Sequence, residues 1–372
     1  MKITILSTAY PLRGGIAHFN GLLYRELRKE NQVNVITFKR QYPSILFPGK
    51  SQLEKGDEVE KIPSGQLIDS VNPFNWLQAG FRLKKDAPDL LIFKYWLPFF
   101  APCFGTISRI VKQNKKTAVL VICDNVLPHE KRPGDRILTG YFFKIVDYFI
   151  LLSEKVKHDL LSLRPKAKYK ILPHPIYSNF GDPVEKEEAK RKLNLTERNL
   201  ILFFGFIRDY KGLDVLLKAL SKVEVDQLRL IVAGEFYSDK DKYLRLIDEL
   251  GIKDKVYLFT DFIPTSDVKY YFSASDAVIL PYKDATQSGI VQIAMNFRKP
   301  VIAADVGGLA EVVLDNQTGF IVPKDKPDFL ANAINKFYQE NKESEFINNI
   351  EREVEKYSWS KFVEGIKELT GL

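Results

Sequence analysis

The chain has 372 residues, 45% hydrophobic and 27% charged, with a net charge of +8; a single core stops growing near ~250–300 residues, so two domains are expected. Cys103 and Cys123 are too few for a disulfide framework and neither stands in a Cys/His ligand cluster, which excludes a disulfide-stapled fold and fits a reducing cytoplasm. The basic residues are dispersed, with no zinc-finger or RNA-recognition pattern, so no nucleic acid is expected; the charge is either a plain solvated surface or an attraction to a diphosphate substrate or an anionic membrane.

Met1 to Ser7 runs straight into Tyr10-Pro11-Leu12-Arg13-Gly14-Gly15 and reads as a strand and its loop, not as a secretory leader. Short apolar runs then alternate with helical patterns, the signature of parallel β-α-β units. Strands are predicted at Ile3–Ser7, Val33–Phe38, Leu90–Tyr95, Ala118–Cys123 and Tyr148–Leu152. The stretch from Leu90 to Ile110 is rich in aromatics but interrupted by Lys94, Pro98, Pro102 and Arg109, short of the ~20 apolar residues of a membrane span. It is either a buried strand leading into a helix or an aromatic surface at a lipid interface.

The join falls near Ile171–Tyr177, where Pro173 and Pro175 hold the chain extended, and Glu185–Lys192 reads as a solvated helix after it. A second series of strands follows at Leu200–Gly205, Leu228–Ala233, Val256–Phe259, Ala277–Pro281, Val301–Ala304 and Gly319–Val322, with helices such as Leu213–Ser221 and Lys242–Leu250. The final amphipathic segment is Trp359–Leu369. Two doubly wound parallel sheets are expected, residues 1–172 and 173–356, with ligands at the carboxyl ends of the strands where the domains face each other.

The most informative segment is Pro281-Tyr282-Lys283-Asp284-Ala285-Thr286-Gln287-Ser288-Gly289-Ile290-Val291-Gln292, with Lys299-Pro300-Val301 and Gly307-Gly308-Leu309-Ala310-Glu311 after it. A Ser-Gly turn opens a helix directly after an apolar strand. Unpaired N–H groups and the positive dipole end at such a turn favour a phosphate, the plain alternative being an ordinary strand-to-helix connection.

The segment resembles the donor-binding signature of family 4 glycosyltransferases, two-domain GT-B enzymes of the α/β class. It is similar to a subgroup that carries Ala-Thr-Gln-Ser-Gly in place of the usual pair of glutamates, here Asp284 and Gln292. The resemblance implies two Rossmann-like domains facing across a cleft, with residues 357–372 crossing back onto the first. It implies that Thr286, Gln287 and Ser288 meet sugar hydroxyls or phosphates, that Gly289, Ile290 and Val291 line the donor, and that Gln292 hydrogen-bonds the ribose.

Phe203-Phe204-Gly205-Phe206-Ile207-Arg208-Asp209-Tyr210-Lys211-Gly212-Leu213-Asp214 places two cations on one loop between a strand and a helix. Arg208 and Lys211 suit a diphosphate and would offset the charge of a departing nucleoside diphosphate. Related enzymes carry the arginine directly after the glycine, where this chain has Phe206. The turn ending in Gly234-Glu235 and the loop containing Phe262 and Ile263 are weaker donor candidates, the second by resemblance to a base-reading loop. Asp239-Lys240-Asp241 stands at a helix start, where acids favour the dipole, so no metal site is expected.

In the first half, Gly14 and Gly15 let the backbone approach a ligand, with His18 a turn beyond. Gly-x-Gly-x-x-Gly is absent, which argues against a dinucleotide enzyme; the loop resembles the glycosyltransferase Gly-Gly loop that touches the donor diphosphate or the acceptor. Cys123-Asp124-Asn125-Val126-Leu127-Pro128-His129-Glu130 crowds polar groups at a strand end. It is similar to a subgroup pattern with histidine where Asp124 stands; His129 is a candidate for the leaving phosphate or a sugar hydroxyl, and Asn125, Asp124 and Glu130 for the acceptor.

The expected reaction is transfer of a sugar from a nucleotide sugar to an acceptor hydroxyl, with no cofactor or metal. Family resemblance implies retention of anomeric configuration. A lipid-linked or growing cell-surface glycan is the expected acceptor, with the enzyme cytoplasmic or peripheral at the inner membrane face. The loops Lys39–Ser44 and Leu46–Gly49 are where acceptor choice is expected to vary. A GT-B-shaped sugar-nucleotide epimerase and a non-catalytic binding protein are the alternatives.

Overall fold

The computed structural model describes residues 1–43, 52–53, 62–128 and 132–371. The chain separates into two compact units, Met1–Pro175 with Ser358–Leu372, and Ile176–Tyr357.

The first unit runs β1 (Lys2–Leu6), α1 (Gly15–Leu27), β2 (Gln32–Arg40), β3 (Gly65–Asp69), α2 (Pro73–Asp86), β4 (Leu90–Tyr95), α3 (Ala101–Val111), β5 (Ala118–Cys123), α4 (Asp135–Phe143), β6 (Tyr148–Leu151), α5 (Glu154–Leu163) and β7 (Tyr169–Ile171). The second runs α6 (Lys186–Lys192), β8 (Asn199–Phe204), α7 (Leu213–Leu220), β9 (Leu228–Ala233), α8 (Lys240–Glu249), β10 (Val256–Phe259), α9 (Val268–Ala274), β11 (Ala277–Leu280), α10 (Gly289–Asn296), β12 (Val301–Ala304), α11 (Leu309–Val312), β13 (Gly319–Val322), α12 (Pro327–Gln339) and α13 (Glu343–Glu353). The last helix, α14 (Trp359–Thr370), returns to the first unit.

Both sheets are parallel. Their orders among the described residues are β3-β2-β1-β4-β5-β6-β7 and β10-β9-β8-β11-β12-β13. Each order reverses direction at one place, between β1 and β4 in the first sheet and between β8 and β11 in the second. Loops leaving the carboxyl ends of strands on either side of such a reversal diverge and leave a crevice. Residues of the Gly205–Gly212 and Pro281–Ser288 loops, far apart in sequence, are neighbours for that reason.

Helices on both faces of a parallel sheet bury its strands completely, which is why β4 and β5 read as continuous apolar runs. Phe93 packs against Phe104 and Phe142 with ring centroids 4.8 and 5.2 Å apart, and Phe100 and Phe143 extend the cluster. The aromatic stretch after Leu90 is therefore core, which corrects the lipid-surface alternative for it: Phe93, Tyr95, Phe100 and Phe104 are fully buried. In α14, Trp359 and Phe362 set their rings 4.9 and 5.7 Å from Phe19 of α1.

Two strands escape the sequence pattern. β3 and β7 are edge strands of mixed polarity, only partly buried, so neither shows an apolar run. Helix α8 begins two residues earlier than its apolar pattern, because the Asp239 side chain accepts the Asp241 N–H as an N-cap at 3.0 Å. Helix α6 keeps Ala189 and Lys190 buried, so it is solvated on one face only. No helix among the described residues is long and apolar enough to cross a membrane.

Candidate functional site

The crevice of the second sheet holds the best-defined group of candidate residues. Strand β8 ends at Gly205, whose φ of +96° lies in the left-handed region that glycine adopts without a side-chain clash. A methyl group placed there would stand 3.2 Å from Lys211 Nζ and 3.3 Å from Ile290 Cδ1. The loop cation and the first turn of α10 therefore converge on one α-carbon.

Several contacts hold Lys211 in place. Gly212, with φ of +69°, comes so close to the next loop that a Cβ would lie 2.0 Å from the Pro281 carbonyl oxygen. Lys283 N–H donates to the Tyr210 carbonyl at 2.7 Å, and the Lys283 ammonium pairs with Asp214 at 2.8 Å. Asp209 accepts hydrogen bonds from Tyr243 and Lys242. The Lys211 ammonium lies 5.6 Å from the Tyr282 ring centroid, and burial, then the neighbouring Arg208 charge, pulls it down to about 8. Among the described residues no carboxylate pairs with it.

Ser288 is the N-cap of α10, its Oγ accepting the Ile290 N–H at 3.2 Å. Helix α10 has eight residues and presents its positive end beside Lys211. The loop before it is braced by Gly307 and Gly308: the Gly308 N–H donates to the Thr286 carbonyl at 3.0 Å. Thr286 is buried and Gln287 half-buried, with Asp284 half-buried two residues before Thr286. Val291 is buried in the helix. Gln292 is 1% exposed, and its Oε1 is a buried acceptor without a hydrogen-bond partner among the described residues, a group that costs stability unless something satisfies it.

Arg208 stands apart from this convergence. It is exposed, its guanidinium carbon 5.2 Å from the Tyr237 ring centroid, and Tyr237 stacks on Phe206 at 4.5 Å. Glu235 is buried, and its carbonyl accepts the Ile207 N–H at 2.8 Å. Phe262 and Ile263 are half-buried beyond the end of β10, separated from β8 by β9.

The first sheet has its own switch-point loops. Gly14, with φ of +107°, is the N-cap of α1 and Gly15 opens the helix. His18 lies in its first turn, and burial lowers its imidazole to about 4, leaving it neutral at neutral pH. Asp124 and Asn125 follow β5. Asp124 is 8% exposed and forms an ion pair at 2.7 Å with Lys94 of β4. Burial draws the Lys94 ammonium down and the Asp124 carboxyl up, while each partner opposes the other's shift. Lys94 also lies 3.5 Å from the Phe19 ring centroid, and His174 packs edge-on against the same ring. His129, Glu130, Ser44 and the Leu46–Gly49 loop lie outside the described residues.

Sequence reasoning missed Lys94, which it treated as an interruption of an apolar run, and it missed Tyr177 and Tyr282. Tyr177 is the residue a Cβ on Gly289 would approach, at 3.0 Å. A charged residue inside an otherwise apolar strand was the available signal for Lys94, since a buried lysine requires a partner.

Residues 185–354 match the family described as Glycosyl transferases group 1. An uncharacterized glycosyltransferase of Methanocaldococcus jannaschii is 29% identical, the alignment covering 96% of this chain and 95% of that one. Among solved structures, Anabaena HepE in complex with UDP is similar with a TM-score of 0.77 at 16% identity, covering 100% of each chain. A sucrose-phosphate synthase from Thermosynechococcus elongatus gives a TM-score of 0.75 at 17% identity over 100% of this chain and 98% of the other. The chain has the GT-B fold of two Rossmann-like units, and the family match with its named relatives supports a glycosyltransferase.

Proposed function

We propose that the protein transfers a sugar from a nucleoside-diphosphate sugar to the hydroxyl of a lipid-linked or growing cell-surface glycan, with retention of configuration, as a family 4-like enzyme. The observation that carries this reading is the convergence of Lys211 Nζ and the N-terminal turn of α10 on Gly205 at the switch point of the second sheet. An ammonium without a carboxylate beside a helix N-terminus is a site for a diphosphate.

The donor diphosphate would lie against Gly205, between Lys211 and Gly289. Arg208 reaches it from the aromatic pair on which it rests. The unsatisfied Gln292 Oε1 would accept a hydrogen bond from a donor hydroxyl, the ribose being the expected one. As the bond between the anomeric carbon and the diphosphate oxygen breaks, the acceptor oxygen bonds to that carbon from the same face. The acceptor proton passes to the leaving diphosphate, whose charge Lys211 and the helix N-terminus stabilise more as it develops. In this scheme the protein's own cations meet the leaving group, so no metal or cofactor is assigned a step.

Gly14, Gly15, His18 and Asn125 are proposed contacts of the donor diphosphate or the acceptor. Asp124, held by Lys94, is proposed to shape its loop rather than remove a proton. A cytoplasmic enzyme working at the inner membrane face follows from the acceptor class. Because HepE is described with UDP, uridine nucleotides are the first donors to test.

The test is calorimetric titration of UDP, GDP, ADP and dTDP and their glucose conjugates into wild type and Lys211→Ala, followed by product analysis with a glycolipid acceptor. Binding of one nucleotide that the substitution weakens at least about ten-fold, with an α-linked product from an α-linked donor, is the expected result. Nucleotide binding unaffected by Lys211→Ala, or an inverted product, overturns the reading.

A further inference from the structure

We propose that helices α2 and α4 of the first unit form a surface that seats on an anionic lipid bilayer. This deepens the lipid-linked-acceptor reading and rests on it for its purpose, while its test does not use sugar transfer.

Large apolar side chains open to solvent are concentrated on these two helices. Phe74 is 78% exposed and Phe81 58%, with Leu77 between them. At 100° per residue these three positions fall within about 60° of one another around the helix axis, so they form a single stripe. The opposite side of α2 buries Ala79, Gly80 and Leu83. On α4, Ile137 is 78% exposed and Tyr141 follows one turn later on the same side. Both helices pack against α3: Gly80 admits Ile110 so closely that a Cβ would stand 2.8 Å from it, and Tyr141 lies over Arg109 at 3.8 Å. The two apolar stripes thus flank α3 on one outer layer of the first sheet.

Cations occupy the carboxyl end of α2. Lys84 and Lys85 lie in the last turn of α2, and Lys84 Nζ donates to Gln113 at 2.9 Å. Lys112, next to Gln113 in the chain, lines a cavity of about 490 Å³ with Lys115, Lys116, Arg164, Lys166 and Lys168, and Asp147 is its acidic member. Asp147 pairs with Lys112, and Asp89 pairs with Lys116. Among the described residues no carboxylate pairs with Lys115, Lys166 or Lys168.

Aromatic and aliphatic side chains along a helix axis, with lysines at its end, match a lipid interface: the rings enter the headgroup boundary while the cations meet phosphates. Nucleic acid would leave the exposed rings of α2 without a partner.

The experiment is flotation of the full chain with vesicles of phosphatidylcholine and phosphatidylglycerol in equal parts, and with phosphatidylcholine alone, at low and high salt. Wild type is expected to float with the anionic vesicles, less so at high salt. Phe74→Ser with Phe81→Ser is expected to lower partitioning at least ten-fold. Lys85→Glu with Lys166→Glu removes two attractions and adds two repulsions, at about five-fold for each unit of charge lost near the surface. All four positions are exposed, so the fold should be kept, and unchanged nucleotide binding by each variant verifies it. Absence of wild-type flotation, flotation indifferent to both pairs of substitutions, or a dimer in light scattering that Phe74→Ser with Phe81→Ser dissolves, overturns the inference. Lost flotation with nucleotide binding intact condemns this surface alone; intact flotation without nucleotide binding condemns the transferase reading alone.

Discussion

Two lysines at the switch points of the two sheets are used in opposite ways. Lys94 lies one residue before the end of β4, 1% exposed, with Asp124 at 2.7 Å and an aromatic ring beneath it. Lys211 follows β8, held by glycine-mediated close packing and a tyrosine ring, with no carboxylate paired to it among the described residues. A buried ammonium whose charge is already answered has nothing to offer an incoming anion. One held in place but left unanswered is destabilised until an anion arrives; burial lowers both ammoniums, so the paired carboxylate, not the shift, separates them. The first lysine is structural and the second is poised for a ligand.

The sharpest way to break this contrast is truncation of each lysine. Lys94→Ala strands the Asp124 carboxylate in the core and is expected to destabilise the protein by about 3–5 kcal/mol in urea titration. Pairing it with Asp124→Asn should recover much of that loss. A loss below ~1 kcal/mol for the single variant would show that the pair does not hold the first unit together.

Lys211→Ala is expected to cost no stability at neutral pH, while weakening nucleoside-diphosphate binding by about 1.5–3 kcal/mol, the range of a hydrogen bond to a charged group. Calorimetry reads the binding and thermal denaturation the stability. A variant that unfolds instead would place Lys211 in the same structural class as Lys94.

Gly212→Ala tests the packing that positions Lys211. Its added methyl meets the Pro281 carbonyl and a left-handed backbone, so a loss of about 2 kcal/mol is expected, with weaker diphosphate binding. Stability and affinity unchanged from wild type would mean that the loop is not fixed as described.

The pH dependence sharpens the contrast further. With a folded value near 8, Lys211 is charged below that pH and loses its proton above it. A bound diphosphate favours the charged form, so affinity should be level from pH ~7 to ~8 and then fall up to about ten-fold per unit as proton uptake accompanies binding. For folding the sign is the reverse. The fold disfavours the charged amine, so the Lys211 contribution to stability improves as pH rises from about 8 toward the ordinary lysine range. Lys211→Arg should bind diphosphate with an affinity that stays level through that window; a fall that persists in it would assign the titration to another group.

The smallest effect is expected at Arg208, exposed and resting on Tyr237. Arg208→Ala should weaken diphosphate binding by about 0.5–1 kcal/mol, as for other solvent-screened charges. A loss as large as that of Lys211→Ala would show that the two act as one clamp.

The central strands of both sheets were legible in the sequence because burial on both faces demands unbroken apolar runs, as in Leu90-Leu91-Ile92-Phe93. The turn at Ser288-Gly289 was legible because helix starts require their own chemistry, a side-chain cap followed by a small residue. Edge strands β3 and β7 were not, since one open edge and partial burial relax the constraint on their side chains. The exposed stripe of Phe74, Leu77 and Phe81 was also missed. Periodicity alone does not distinguish an apolar face turned to the core from one turned to solvent.

By itself the sequence determined the alternation of strands and helices, the glycine turns at strand ends and the cations that follow them, all fixed by local backbone chemistry and side-chain period. Tertiary structure alone decided which of the chain's buried lysines are answered. Whether Lys94 meets Asp124, or Lys211 meets Gly205 and Ile290, depends on which strands become neighbours at a reversal of sheet order. That choice is made by packing between segments distant in the chain, and no window along the sequence contains it.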